Sequence, residues 1–184
     1  MAMALPEESG KMVSNLASNN ELKIVPYVAS KKDLHAGICK HYLGRLPSTS
    51  QQRTVLVVED DNLIQAMFDE VLTKHGYRVV TAADGIEAFK AVIAEQPQVI
   101  ITDKEMPKLG GYELLQALLN VPETSCIPVI LVTGSALNAE EEAKAFNKGF
   151  FDFIVKPVPE ITLISRVKRA FQFYEHHYRL FSAA

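Results

Sequence analysis

From residue 54 onward, short apolar runs alternate with longer segments whose apolar residues recur at helical spacing. The runs are TVLVV (54–58), YRVVTA (77–82), QVIITD (98–103), IPVILVT (127–133) and FDFIV (151–155). Each is short and nearly uninterrupted, which is typical of strands that are buried on both faces. The pattern therefore predicts five strands in a parallel sheet.

The segments between these runs favour helices. Apolar residues at helical spacing fill positions 64–72, and Gly76 follows where a helix would end. Further helices are predicted at 85–95, 111–120 and 138–148, and a last one runs from about 160 to beyond Tyr178. The order predicts an α/β fold with a (βα)5 doubly wound, five-stranded parallel sheet.

Composition divides the chain into two parts. LPSTSQQR, rich in hydroxyl and amide side chains, precedes the first strand and marks the boundary. We expect residues 1–52 to form a partly disordered N-terminal extension of unknown role. Residues 53–184 are predicted to be one domain with an elongated C-terminal helix.

Charge and cysteine content exclude several classes of protein. The formal net charge is −3, so no basic field predicts direct nucleic-acid binding. Cys39 and Cys126 form no CxxC unit, which argues against a thiolate metal site or a disulfide framework. The chain has no apolar run of the length that a membrane helix requires. We therefore expect a cytoplasmic protein that does not enter a membrane.

The ends of the predicted strands carry the candidate chemistry. The first strand ends at Glu59-Asp60-Asp61, the third at Asp103, the fourth at Thr133 and the fifth at Lys156. Because parallel strands end at the same edge of a sheet, these side chains are expected to form one site.

Several carboxylates at one site repel each other unless a cation neutralises them. Mg²⁺ prefers oxygen ligands and commonly connects carboxylates to phosphate oxygens, so it is the predicted cofactor. Asp103 is the candidate nucleophile toward a phosphoryl donor, and the Lys156 ammonium would neutralise charge. Thr133 is the candidate hydrogen-bond donor to a phosphoryl oxygen.

Each of these residues also has an ordinary structural explanation. Asp61 followed by Asn62 can cap the first helix. Thr133 can be a turn residue, Lys156-Pro157 a loop, and Asp103 the start of a turn. Their joint occurrence at consecutive strand ends favours the phosphoryl-transfer interpretation.

At these motifs the sequence resembles the receiver domain of two-component response regulators. VLVVEDDN resembles the family's first strand and acidic pair, and VIITDKEMPKLGGYELL resembles its phosphoacceptor segment. PVILVTGS and GFFDFIVKPV resemble the segments that carry the family's hydroxyl residue and lysine. The resemblance covers roughly residues 53–177 and implies a flavodoxin-like receiver fold with a cis peptide bond at Lys156-Pro157.

The resemblance also assigns roles to individual residues. Asp103 would be the phosphoacceptor, and Glu59, Asp60, Asp103 and the backbone carbonyl of Glu105 would bind Mg²⁺. A receiver of this kind is a signalling protein that catalyses only its own phosphorylation and slow self-dephosphorylation.

Other expectations concern switching and partners. The phosphoryl donor would be a sensor histidine kinase or a histidine phosphotransfer protein, and output would pass to a downstream protein target. Thr133 and Phe153 would be the switch residues, which move when Asp103 is phosphorylated and repack the face around the fourth helix.

The sequence departs from the family pattern at three places. Glu59 stands where Asp is more frequent, although it keeps the charge. Gly110-Gly111 replaces the usual Asp-Gly, so the loop is expected to be more flexible. Phe150 replaces a usual Ala and is expected to alter packing near the fourth helix.

Three alternatives remain open from the sequence. A haloacid-dehalogenase-type phosphohydrolase would place a DxD nucleophile after the first strand, where this chain has Asp60-Asp61-Asn62. A pseudo-receiver would act only as a protein-interaction module.

In the last helix, Tyr178 and Phe181 extend the apolar stripe and need a partner, which is either a homodimer contact or the N-terminal extension.

Overall fold

The computed structural model describes residues 52–135 and 139–182, with side chains up to His176. Five strands and five helices alternate along this part of the chain. The strands are β1 (Thr54–Val58), β2 (Arg78–Ala82), β3 (Val99–Asp103), β4 (Val129–Thr133) and β5 (Asp152–Val155). The helices are α1 (Asn62–Lys74), α2 (Gly85–Glu95), α3 (Gly111–Leu119), α4 (Ala139–Lys148) and α5 (Glu160–Ser182).

All strand pairs are parallel, in the order β2-β1-β3-β4-β5. One face of the sheet packs on α1 and α5 through a cluster that includes Phe68, Leu72 and Phe171. The other face packs on α2, α3 and α4, with Leu114 and Ala145 among the buried residues. The predicted doubly wound (βα)5 sheet is therefore confirmed.

Burial differs between the central and the outer strands. β1, β3 and β4 are buried along their full length, as their uninterrupted apolar sequences predict. For β2, the prediction of burial on both faces was wrong, because Arg78 and Thr81 are exposed and Val79 and Val80 are only half-buried. β2 is at the edge of the sheet, where helices cover its faces less completely.

The first helix has a defined cap at each end. Asp61 precedes it and accepts hydrogen bonds from the N–H groups of Leu63 (2.8 Å) and Ile64 (3.2 Å). At its C-terminus Gly76 has a φ of 84°, and its N–H donates to Thr73 O at 2.9 Å. A left-handed residue at this position favours glycine, as the sequence indicated.

Two further predictions concern the Lys156-Pro157 bond and the side chain of Phe150. The Lys156-Pro157 bond is cis, as predicted. Phe150 is buried, and its ring meets that of Tyr112 edge-on at 5.1 Å between centroids. The Phe150 side chain is therefore packed against α3.

Two predictions concern residues whose side chains the structure does not describe. The prediction for residues 1–52 covers residues 1–51, which the structure does not describe, and Tyr178 and Phe181 belong to the part of α5 described only by its backbone. Both predictions therefore remain predictions. No helix in the described part of the chain is both long enough and apolar enough to cross a membrane.

Candidate functional site

The carboxyl ends of β1, β3, β4 and β5 surround an open cleft of about 710 Å³. The parallel register brings these ends together, since Val58 pairs with Thr102, Asp103 with Val132 and Thr133 with Val155. Residues that lie far apart in sequence therefore share one rim. The lining includes Glu59, Asp60, Asp103, Glu105, Thr133 and Lys156.

Three carboxylates converge in this cleft. One oxygen from each of Glu59, Asp60 and Asp103 lies within 4.8 Å of the others. Glu59 and Asp103 are buried, whereas Asp60 is exposed. A set of hard oxygen donors, partly buried and open on one side, suits a divalent cation such as Mg²⁺ that keeps some of its water ligands.

Lys156 joins two of the three acids. Its Nζ lies 2.8 Å from Glu59 Oε2 and 2.8 Å from Asp103 Oδ1. The lysine side chain is 22% exposed, so the ammonium is only partly screened by water. It therefore neutralises part of the negative charge in the cleft.

Burial and charge shift the pKa values of this pair. Burial is the main reason that the pKa of Glu59 is raised, and the nearby Asp103 carboxylate raises it further, against the lowering effect of Lys156. Burial by itself lowers the pKa of the Lys156 ammonium, but the hydrogen bonds to Asp103 and Glu59 outweigh burial and the net pKa is raised. The surroundings in the cleft thus stabilise the charged form of Lys156 and destabilise the ionised form of Glu59.

The backbone of the β3–α3 loop also contacts the acidic cluster. The N–H of Glu105 donates to Asp103 Oδ2 at 3.0 Å, so each oxygen of the Asp103 carboxylate has one partner. The Glu105 side chain is 86% exposed to solvent. The assignment of its carbonyl as a metal ligand stays a prediction.

The two predicted switch residues are placed differently. Thr133 is buried at the cleft, where its hydroxyl donates to the backbone carbonyl of Ser135 at 3.2 Å. Phe153 is half-buried on β5, and its ring centroid lies 5.7 Å from that of Phe146 on α4. Thr133 is thus beside the acids, and Phe153 lies on the face between α4 and β5.

Sequence reasoning missed one residue that supports the cleft. The amide Nε2 of Gln65, on α1, donates to Glu59 O at 3.0 Å and to Ala82 O at 3.1 Å. It fixes the backbone that leads into the acidic pair. The helical spacing of α1 gave no sign of this role, because the contact depends on how α1 crosses the ends of β1 and β2.

Comparisons with known proteins agree with the fold. The sequence profile named "Response regulator receiver domain" matches residues 55–168. Since this match spans more than half of the chain, the protein belongs to the response regulator receiver family. As a receiver domain, it is a module of two-component signalling.

Individual relatives give the extent of the similarity. Protein PilH of Pseudomonas aeruginosa is 34% identical over 61% of this chain and 93% of its own length. A probable transcriptional regulator, ycf29 of Porphyra purpurea, is 32% identical over 62% of this chain, which spans only 54% of ycf29.

Among solved structures, chemotaxis protein CheY4 of Vibrio cholerae is similar, with 30% identity and a TM-score of 0.62. The similarity covers 65% of this chain and 99% of CheY4. The likeness therefore concerns the receiver domain and does not extend to the whole chain.

Proposed function

We propose that this protein is a phosphoaccepting receiver in which Asp103 takes a phosphoryl group from a phosphohistidine donor. The observation that carries the proposal is the position of Lys156, 2.8 Å from Asp103 Oδ1 and 2.8 Å from Glu59 Oε2. An ammonium held there can neutralise charge that builds up when an anionic phosphoryl group approaches Asp103. The donor would be a sensor histidine kinase or a histidine phosphotransfer protein.

In the proposed reaction an oxygen of the Asp103 carboxylate attacks phosphorus. The new P–O bond forms an acyl phosphate while the P–N bond to the donor imidazole breaks, and the imidazole leaves with the bonding electron pair. The donor would approach Asp103 from the open side of the cleft. Lys156 orients the carboxylate through one oxygen and the Glu105 N–H holds the other.

Mg²⁺ is the proposed cofactor, held by Glu59, Asp60, Asp103 and the backbone carbonyl of Glu105. When bound, it would supply positive charge that offsets the carboxylates and the transferred phosphoryl group. The donor set supports this assignment, because three carboxylate oxygens already lie within 4.8 Å of one another. Burial is the main reason that the pKa of Glu59 is raised, and the neighbouring Asp103 carboxylate adds to it, so a bound cation would stabilise the ionised form of Glu59.

Switching would begin at Thr133. Its hydroxyl would exchange the Ser135 carbonyl for a phosphoryl oxygen, and Phe153 would turn inward from its contact with Phe146. Such a two-state change at the α4–β5 face would alter a protein-binding surface. A downstream protein target and a homodimer through the C-terminal helix are the proposed partners, and a cytoplasmic location is expected.

The direct test is the intact mass of the full chain after incubation with acetyl phosphate and Mg²⁺. We expect the wild type to gain one phosphoryl group and Asp103→Asn to gain none. Asp69→Asn is the matched control, because Asp69 is an exposed aspartate on α1 outside the cleft. A folded wild-type protein that gains no mass would instead support the pseudo-receiver alternative.

A further inference from the structure

The loop of residues 104–110, which follows Asp103, is attached to the start of α2. The carbonyl of Leu109 accepts a hydrogen bond from the N–H of Gly85 at 3.1 Å. Next to it, Lys108 Nζ lies 2.5 Å from Asp84 Oδ2. Two adjacent residues of the loop thus contact the connection between β2 and α2. Leu109 does so through its backbone and Lys108 through its side chain.

Asp84 is well suited to receive a lysine. Its side chain is 3% exposed, and its Oδ1 caps α2 by accepting from the N–H groups of Ile86 (2.8 Å) and Glu87 (2.9 Å). The hydrogen bond from Lys108 is the main reason that the pKa of Asp84 is lowered. Removing the lysine would leave a buried carboxylate with no counter-charge on Oδ2.

The backbone at Lys108 is held in an uncommon conformation. Its φ is 64°, a left-handed value that non-glycine residues adopt rarely, and the N–H of Leu109 closes a three-residue turn on Pro107 O at 2.7 Å. Such a conformation is unfavourable for a residue with a Cβ and persists only where its surroundings impose it. The ion pair to Asp84 supplies such a constraint, since it fixes the end of the Lys108 side chain.

The two ends of the loop meet next to Asp103. The N–H of Gly111 donates to Lys104 O at 3.2 Å, and a Cβ on Gly111 would lie 2.4 Å from Asp103 O. The start of α3 therefore packs directly against the backbone of Asp103. Gly110, the residue that precedes α3, provides no side-chain cap, so the loop depends on ties elsewhere.

We propose that Lys108 and Asp84 are positioning residues for the candidate phosphoacceptor site. Their ion pair holds the loop that carries Glu105 in place before a cation or a phosphoryl group arrives. This inference rests on the proposed function for its chemical consequence. The loop contacts themselves can be tested independently of it.

The test uses the full chain as wild type, Lys108→Met, Asp84→Asn and the double variant. Asparagine at position 84 retains an oxygen that can cap α2, so the helix start is preserved. The first readout is amide hydrogen exchange at Gly85 and Gly111 without Mg²⁺, because both N–H groups donate to carbonyls of the loop. The second is the Mg²⁺ dissociation constant by titration calorimetry.

We expect each single variant to raise exchange at these two amides by about fivefold, a small effect because the Lys108 side chain is largely exposed. The Mg²⁺ dissociation constant is expected to rise by a similar factor. The double variant should change no further than either single variant, because the same contact is lost in all three. Exchange at Val57, in the buried strand β1, should stay unchanged.

Lys90→Met is the matched control, since Lys90 is an exposed lysine on α2 and has no ion pair with any residue that the structure describes. If Lys108→Met and Asp84→Asn leave both exchange and Mg²⁺ affinity at the level of this control, the inference is wrong. If exchange rises but Mg²⁺ affinity does not, the pair holds the loop without positioning the site, and the inference is also overturned. A wild type that binds no Mg²⁺ would refute the proposed function, whereas the exchange data would still decide whether the ion pair holds the loop.

Discussion

Replacing Lys156 with methionine should destabilise the metal-free protein substantially. In the wild type the Lys156 ammonium lies 2.8 Å from carboxylate oxygens of both Glu59 and Asp103. Methionine keeps much of the side-chain length but removes the charge, so two buried carboxylates would face each other without a counter-ion. The two acids contribute oxygens within 4.8 Å of each other.

The magnitude follows from these distances. At 4.8 Å and an effective dielectric constant of about 20, two negative charges repel by about 3 kcal/mol. Removing one partner of a buried ion pair costs about 3–5 kcal/mol in other proteins. Because the cleft is open to water, we expect the lower end, a loss of about 3 kcal/mol in the free energy of unfolding. For a chain of 184 residues this corresponds to a fall in Tm of about 6–12 °C.

The assay is urea unfolding at pH 7.5 in the presence of EDTA, followed by circular dichroism. Lys168→Met, at an exposed lysine of α5, is the matched control and should be near the wild type. The double variant Glu59→Gln/Lys156→Met should recover much of the loss, because only one buried carboxylate then remains. Equal stability of Lys156→Met and Lys168→Met would refute the reasoning, and so would a double variant no more stable than Lys156→Met.

Two other variants test the electrostatics and the packing near the cleft. Because the pKa of Glu59 is raised in the folded state, its ionised form weakens the fold. Glu59→Gln should therefore be more stable than the wild type at pH 7 without metal. This difference in stability should vanish below about pH 4, where glutamate is protonated in both the folded and the unfolded state. Urea unfolding of both proteins across this pH range would measure the difference. Gly85→Ala should lower stability by about 1–3 kcal/mol, since the new Cβ would lie 2.6 Å from Leu109 O. Thermal unfolding would show this, with Gly134→Ala as a control at a site where a Cβ meets nothing within 4 Å.

The sequence allowed the main features of the cleft to be predicted because strand ends in a parallel sheet share an edge. The predicted runs end at the same residues as the observed strands, so Glu59, Asp103 and Lys156 could be grouped although they lie far apart along the chain. The strand starts were less well predicted: Tyr77 and Gln98 were included in strands that begin one residue later. The boundary at Gln98 is a narrow one, because its N–H still donates to Thr54 O on β1 at 3.1 Å.

Contacts between side chains on separate strand-to-helix loops could not be predicted from the sequence. The sequence suggested that Gly110-Gly111 would loosen the β3–α3 loop, but it gave no indication that Lys108 reaches Asp84, 24 residues earlier. Likewise, the sequence gave no indication that the Thr133 hydroxyl donates to Ser135 O. Short hydroxyl side chains readily bond to nearby backbone, and local sequence does not reveal which partner is chosen.

The exposed edge strand β2 has a consequence for how this protein behaves at high concentration. An outer strand presents unpaired N–H and C=O groups, on which a strand of another molecule can add. Here the edge is only five residues long, and Arg78 at its first position is exposed and paired with Glu95 at 2.5 Å. A charged side chain on a short edge opposes such addition, because a second strand would have to displace the ion pair and dehydrate the arginine. The sheet should therefore resist intermolecular growth into aggregates along this side.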